Sequence, residues 1–337
     1  MQQKRFSKTP VFTGLCLEIL LILFSVLLSV SYGSKAVPFG EIWTYFAGTL
    51  QDDFLSAVIA ARIPRTVFGL LAGAALGVSG GLMQAITRNP IADPSILGVN
   101  TGASLMVVIG IAYLHISAGF PLMVLSFGGA FVTALFVYGI ASVGYGGASS
   151  IKLALAGAAV STALGALVNT IMLPDSSVMK EFRFWQVGSI SGGTWEDVRL
   201  LVPFLVCGLL LAFCCAPALN AMALGDEMAV ALGVKVGRIR LIAAFAGVIL
   251  CAGVTALAGP IGFVGLMLPH VVRRILGNDQ RIVLPFSALG GAALLTISDV
   301  LGRVLGRPGE LEVGIITALL GAPVFIWIVW KTKAKSI

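Results

Sequence analysis

Charge is scarce in this chain: only 11% of its residues are Asp, Glu, Lys or Arg, against about a quarter in soluble domains. Histidine occurs twice, as His115 near a helix end and His270 in "LMLPHVVRR", and no Ser/His/Asp or Cys/His grouping accompanies either. No G-x-x-x-x-G-K-[ST] stretch is present, so a nucleotide's phosphates find no P-loop. The five cysteines (Cys16, Cys207, Cys214, Cys215, Cys251) all fall in apolar runs. There they behave as small hydrophobic residues and suggest neither a disulfide framework nor a metal site. A catalytic set is thus missing, and an enzyme or a nucleotide hydrolase is the poorest reading of the chain.

Apolar residues, at 58%, fill the space that charge leaves, and the mean hydropathy is +1.01. A span needs about 20 mostly apolar residues, because the hydrocarbon core is about 30 Å thick and a helix rises 1.5 Å per residue. That rule predicts an all-α polytopic membrane protein with about ten spans: 11–32, 61–87, 95–114, 118–141, 151–173, 198–219, 237–258, 259–276, 282–300 and 311–331. No connection is long enough for a soluble domain, so residues 1–337 read as one transmembrane domain. The basic start resembles a signal peptide, but its apolar run is too long and no A-x-A site follows, which predicts a retained first helix.

Orientation follows from the excess of Lys and Arg on the cytoplasmic side. With the N-terminus inside, Lys4, Arg5, Lys8, Arg88, Lys152, Lys235, Arg238, Arg240, Arg273, Arg274, Arg281, Lys331, Lys333 and Lys335 are cytoplasmic, as are both termini. The net charge of +7 is then a matter of topology, and nucleic acid is not implied as a partner. The remaining eight bases fall on the other side, against the preference, and of these Arg62 and Arg65 in "RIPR" ask for a functional reason.

Glycine is abundant, and Gly69, Gly73, Gly77 and Gly81 recur every fourth residue. Such a stripe lets helix backbones approach where lipid offers no hydrophobic reason to associate. Gly157, Ser161 and Gly165 repeat the device. "AGAALGVSG" (72–80) and "AGVILCAG" (246–253) echo one another, each before a Gly/Pro-rich stretch. They suggest two inverted repeats, about 61–173 and 237–331, as in many transporters. Two acids, Glu18 and Asp299, fall within spans, where burial is expensive and a functional role is the default. An ion-coupled carrier would show more of them.

Between the sixth and seventh spans, residues 220–236 interrupt the apolar text. Asp226 and Glu227 open about two helical turns, where the helix dipole favours acids, and Gly233 stops them. Met228 and Leu232 share a face, with Ala229 beside them. A membrane-surface helix would carry Lys and Arg on its polar face; here the bases come only afterwards. An acidic start with an apolar ridge suits a groove on a partner protein.

Four stretches in order, "ARIPRTVFGLLAGAALGVSGGLMQAITRNPIADPSILGVNTGASL" (61–105), "ALGDEMAVALGV" (223–234), "GPIGFVGLMLPHVVRRILG" (259–277) and "ELEVGIITALLGAPVFIWIVWK" (310–331), resemble the permease subunits of ABC importers for iron-siderophore complexes, heme and cobalamin. The resemblance implies the type II importer permease fold, with ten spans per subunit in the cytoplasmic membrane of a bacterium and a path along the axis of a permease dimer, the second subunit being the same or a related chain. It implies a cytoplasmic ATPase dimer that carries ATP and Mg, so that this chain binds no cofactor, and an extracytoplasmic substrate-binding protein. By the same resemblance Gly225, Asp226, Glu227, Met228, Ala229, Leu232 and Gly233 meet the ATPase. Arg62, Arg65 and Arg303, with Arg307 one turn away as an alternative, meet acids of the binding protein. The fifth span lines the path, with Ser149 and Ser150 at the gate and Asn169 and Thr170 higher up.

Overall fold

The computed structural model describes residues 8–116, 119–144 and 149–333. Among these, the chain is entirely helical: α1 (Lys8–Ser31), α2 (Phe39–Phe46), α3 (Asp53–Thr87), a 3₁₀ turn (Pro94–Leu97), α4 (Val99–Leu114), α5 (Phe120–Ser142), α6 (Ser150–Met172), α7 (Ser176–Val187), α8 (Trp195–Met222), α9 (Asp226–Ala231), α10 (Val236–Ala258), α11 (Val264–Leu276), α12 (Gln280–Leu305) and α13 (Val313–Lys333). Each expected span has its helix. Seven (α1, α3, α5, α6, α8, α10, α12) are long and apolar enough to cross a membrane. The apolar stretches Val99–Leu114 and Val313–Ile326 are shorter, and α11 has only 13 residues.

The differences from expectation lie where local signals outweigh hydropathy. Helix α3 begins eight residues before the expected limit, because the Asp52 carboxylate accepts from the Leu55 N–H at 3.0 Å and starts the helix there. The expected span at 259–276 is helical only from Val264: Gly259 takes φ 71° and Pro260 follows, so the chain enters as irregular backbone. Helix α7 is too polar and too short to signal a span. It starts on Asp175, whose carboxylate accepts from the Ser177 N–H at 2.8 Å.

The core is built around α3, which packs against α1, α8, α10, α11 and α12. Its glycines explain how. A Cβ at Gly73 would collide with the Gly291 carbonyl of α12, one at Gly77 with the Ser287 carbonyl, and one at Gly80 with the Gly265 carbonyl of α11. Hydrogen in place of a methyl group therefore sets the helix separation. The stripe serves packing within one chain. Gly157 fits the same rule, meeting the Ile96 carbonyl, whereas Gly165 faces open space.

Two helices show contrasting outer faces. On α1 the exposed residues are large and apolar, including Phe12, Leu17, Leu20, Leu23, Phe24 and Leu27, which suits lipid. On α6 they are mostly small: Ala154, Ala158, Ala159, Thr162, Ala163, Ala166 and Thr170. Helix α1 ends, and α13 begins, at the end of the bundle that holds Arg65. Ser31 accepts from Arg62 at 3.2 Å, and Gly314 N–H donates to Gly188 beside α7 at 3.0 Å. The start of α1 and the far end of α13 therefore share the opposite end with Arg88.

Candidate functional site

Charge gathers at two levels of α3, around Arg65 and at its C-cap Arg88. Arg65 and Arg88 are 23 residues apart, which at 1.5 Å per residue is about 34 Å, a bilayer's depth. At the Arg88 end stands the interrupted stretch. Gly225 precedes α9 with φ 122° and Gly233 follows with φ 81°, both in the left-handed half that favours glycine. Gly233 N–H donates to Val230 O and Val234 N–H to Ala229 O, each at 2.9 Å. This is the paired glycine stop of a Schellman motif. Ala229 is buried against the bundle, while Met228 (56%) and Leu232 (62%) are exposed. Leu224 and Val230 join them; they lack the i, i+4 spacing that picked out the first two.

Glu227 points outward, but Asp226 does not act as a free acid. Its carboxylate accepts from Arg240 Nη2 of α10 at 3.1 Å and pairs with Arg88, the C-cap of α3. Burial raises the Asp226 carboxyl, but the Arg240 hydrogen bond and charge, followed by those of Arg88, outweigh it and hold the group below the ordinary carboxylate range. Sequence reasoning gave Asp226 to the partner and overlooked Arg88 and Arg240, since 138 and 14 residues separate them from it.

At the other end the expected wet rim of arginines is largely internal. Arg62 is buried and donates to the carbonyls of Val30 (2.8 Å), Ser31 (3.2 Å) and Lys35 (2.6 Å). Arg303, only 2% exposed, donates to Ser29 O at 3.0 Å and Ser29 Oγ at 2.8 Å. Its Nε lies at ion-pair distance, 3.0 Å, from Asp299 Oδ2. Arg65 grips Asp299 with two nitrogens, Nη2 to Oδ1 at 2.6 Å and Nε to Oδ2 at 3.1 Å, and reaches Glu310 with Nη1 at 2.9 Å. The expectation of an exposed Arg62 and Arg303 is corrected here. Guanidinium groups in a low-dielectric site take every acceptor within reach, and the end of α1 supplies carbonyls. Arg65 keeps an edge toward the surface, and Arg307, bound to Gly33 O at 3.0 Å, is the exposed member of the Arg303/Arg307 pair. Asp299 is thereby explained as the counter-ion of two arginines. Glu18 is half-buried on α1 where it meets Gly290 of α12.

The expected path residues separate. Asn169 lines a polar cavity of about 430 Å³ with Asn100, Thr101 and Ser104 of α4, Gln186 of α7 and Pro260. Thr170 turns its hydroxyl back to Ala166 O at 2.9 Å and stays outside that cavity. Ser149 caps α6, its hydroxyl accepting from Lys152 N–H at 3.3 Å, and Ser150 is the first residue of α6. The loop before them, 145–148, lies outside the described residues. No group of three or more His, Cys, Asp or Glu side chains fit to hold a metal ion occurs among the described residues.

A bundle of long apolar helices, with a short glycine-bounded helix exposed at one end and a polar cavity lined from α4, α6 and α7, is that of a multi-pass membrane protein. A solved metal-chelate-type ABC transporter in an inward-facing conformation matches 96% of this chain and 99% of its own, with a TM-score of 0.80 and 28% identity. The model of the FecCD transport family matches residues 20–331, and the chain belongs to that family. Among curated relatives, the ferric enterobactin transport system permease protein FepD of Escherichia coli is 42% identical over 92% of this chain and 93% of its own. The Fe(3+)-citrate import system permease protein YfmD of Bacillus subtilis is 39% identical over 94% of each. The hemin transport system permease protein HmuU of Yersinia pestis is 34% identical over 95% and 97%.

Proposed function

We propose that this chain, paired with a second copy or a related permease, forms the transmembrane path of an iron-siderophore importer in the cytoplasmic membrane of a bacterium. The observation that carries the reading is α9: a short, glycine-bounded helix with Met228 and Leu232 exposed at one end of a bundle otherwise built for lipid. A separate ATPase dimer, holding ATP and Mg, docks there. Gly225, Glu227, Met228, Leu232 and Gly233 form the contact, with Leu224 and Val230 widening it and Ala229 as the buried anchor. This end, with both chain termini, is cytoplasmic, in keeping with its Lys and Arg content.

A binding protein delivers the chelate at the opposite end, meeting the surface edges of Arg65 and Arg307, with Arg62 and Arg303 holding the backbone beneath. Opposed charges there set orientation and on-rate more than affinity. The open, small-residue face of α6 borders the path and the second subunit, Ser149 and Ser150 stand at the cytoplasmic gate, and Asn169 and Thr170 lie further in. The matching layouts of α3–α6 and α10–α13 support the inverted-repeat reading, since each has a largely buried long helix, an irregular re-entry and a short helix. Ferric siderophore is the preferred cargo because relatives named for ferric enterobactin and ferric citrate stand among the most similar.

The experiment is uptake in cells lacking this chain, using labelled ferric enterobactin, ferric citrate, hemin and cobalamin, with ATP depleted at constant membrane potential. The expected result is that cells lacking the chain lose uptake of one ferric siderophore, and that ATP depletion abolishes the same uptake in cells that keep it. Uptake that follows an ion gradient and ignores ATP would overturn the importer reading. Uptake that fails for hemin or cobalamin alone would change only the cargo.

A further inference from the structure

The ATPase contact assigned to α9 leaves unexplained why its first acid is already held within the chain. Asp226 opens a helix whose other outward side chains, Glu227, Met228 and Val230, are free to meet a partner, yet it pairs with Arg88 and Arg240. These two arginines belong to different helices. Arg88 is the C-cap of α3, and Arg240 stands in the first turns of α10.

The backbone at Arg88 adds a second, independent sign. It takes φ 52° and ψ 30°, the left-handed cap conformation, where glycine or asparagine is the usual choice. A residue with a Cβ costs about 1 kcal/mol there. A glycine would relieve the backbone but would lose the guanidinium, so the position is explained by what its side chain holds.

What lies behind the two arginines gives the pairing its reach. Helices α3 and α10 are the most enclosed long helices of the bundle and pack against each other. One turn before Arg88, Gln84 bonds to Arg273 of α11, while its amide donates to Leu266 O at 3.0 Å. At the far end of α3, Arg65 holds Asp299 and Glu310. A displacement of α9 therefore has two stiff routes into the bundle, and the one through α3 runs unbroken to the outer charge cluster.

We propose that Asp226 is a positioning residue: with Arg88 and Arg240 it clamps α9 to α3 and α10, so that force on the exposed helix moves the core helices instead of bending a loop. It acts on the body of the permease and not on the ATPase surface. The proposal rests on the reading of α9 as the ATPase contact, and its test separates the two.

Permease and ATPase are co-expressed, purified together and reconstituted, with ferric enterobactin and its binding protein as the first probe. Three readouts are taken: ATPase retained on purification, ATP hydrolysed, and chelate transported per ATP. Asp226→Asn and Arg88→Gln are each expected to keep the ATPase bound while transport per ATP falls severalfold. The double variant should be no worse than either single one, and Asp226→Glu should restore part of the loss. Loss of the ATPase from Asp226→Asn would make Asp226 a direct contact and overturn the clamp, as would unchanged transport per ATP. Additive losses in the double variant would overturn it too. Met228→Asp with Leu232→Asp serves as the separate control: if that variant still retains and couples the ATPase, the reading of α9 fails, and the clamp with it.

Discussion

At the level of single residues, the same functional group does different work according to its surroundings. Asp226 is half-exposed, so its ion pairs with Arg88 and Arg240 contribute only about 0.2–1 kcal/mol each. Its carboxyl is held below the ordinary range, so this stability is fully present above the unfolded value and is lost as pH falls through the lower, folded one. The stability difference between the parent chain and Asp226→Asn should accordingly be constant near neutral pH and shrink only once the pH drops below the usual carboxylate range. Thermal unfolding in detergent across acid pH would check it, and a difference that vanished already near pH 6 would contradict the pairing. Asp299 is the opposite case. Its side chain is 5% exposed between Arg65 and Arg303, and breaking a buried pair on one side costs about 3–5 kcal/mol because the remaining charges stay buried. Asp299→Asn should lower the melting temperature clearly. Glu310→Gln, on the exposed arm of the same network, should cost under about 1 kcal/mol.

Elements add what residues lack, a direction and a spacing. The glycine stripe of α3 was readable as a period of four, but its target was not, since the Gly291 and Ser287 that face Gly73 and Gly77 lie 218 and 210 positions further along the chain. Gly77→Ala should cost about 3 kcal/mol, the upper range for overpacking, because its Cβ meets a carbonyl and not a flexible side chain. Gly165→Ala on α6 should leave folding unchanged, since nothing lies within 4 Å of the added carbon. Melting temperatures of the two variants decide between packing stripes and mere composition. For α9 the limits were legible from Asp226 and Gly233, because acids and glycine mark helix ends locally. The pairing of Asp226 was not, because it depends on Arg88 and Arg240.

For the whole molecule, the outer surface presents two kinds of helix face. Leu and Phe cover α1, whereas on α6 Ala and Thr outnumber the exposed Ile151, Leu155 and Leu167, and small residues are what close helix approach requires in a membrane. Cysteine at Thr162 or Ala166 should cross-link to the second permease subunit, in a chain whose exposed Cys16, Cys207 and Cys214 have been replaced. Cysteine at Leu20 on α1 should not. Cross-linking at Leu20 and none on α6 would reverse the assignment of faces.

Membrane class, the order of the helices that carry the apolar runs, and the limits of α9 were determined by the sequence alone, because each rests on a local signal: a run of apolar residues, a cap or a glycine. The arginines mark the limit of that kind of reading. Arg62, Arg65 and Arg303 were expected at a charged docking rim, yet only tertiary structure decided that Arg62 and Arg303 turn inward to carbonyls and, for Arg303, to Asp299. A guanidinium's position depends on which acceptors come within 3 Å, and for Arg303 these are 274 residues away in the chain. The helices α2 and α7 escaped for a related reason. Both are too short to span, and α7 is too polar as well; they owe their place to the bundle they pack on, and no window of hydropathy contains it.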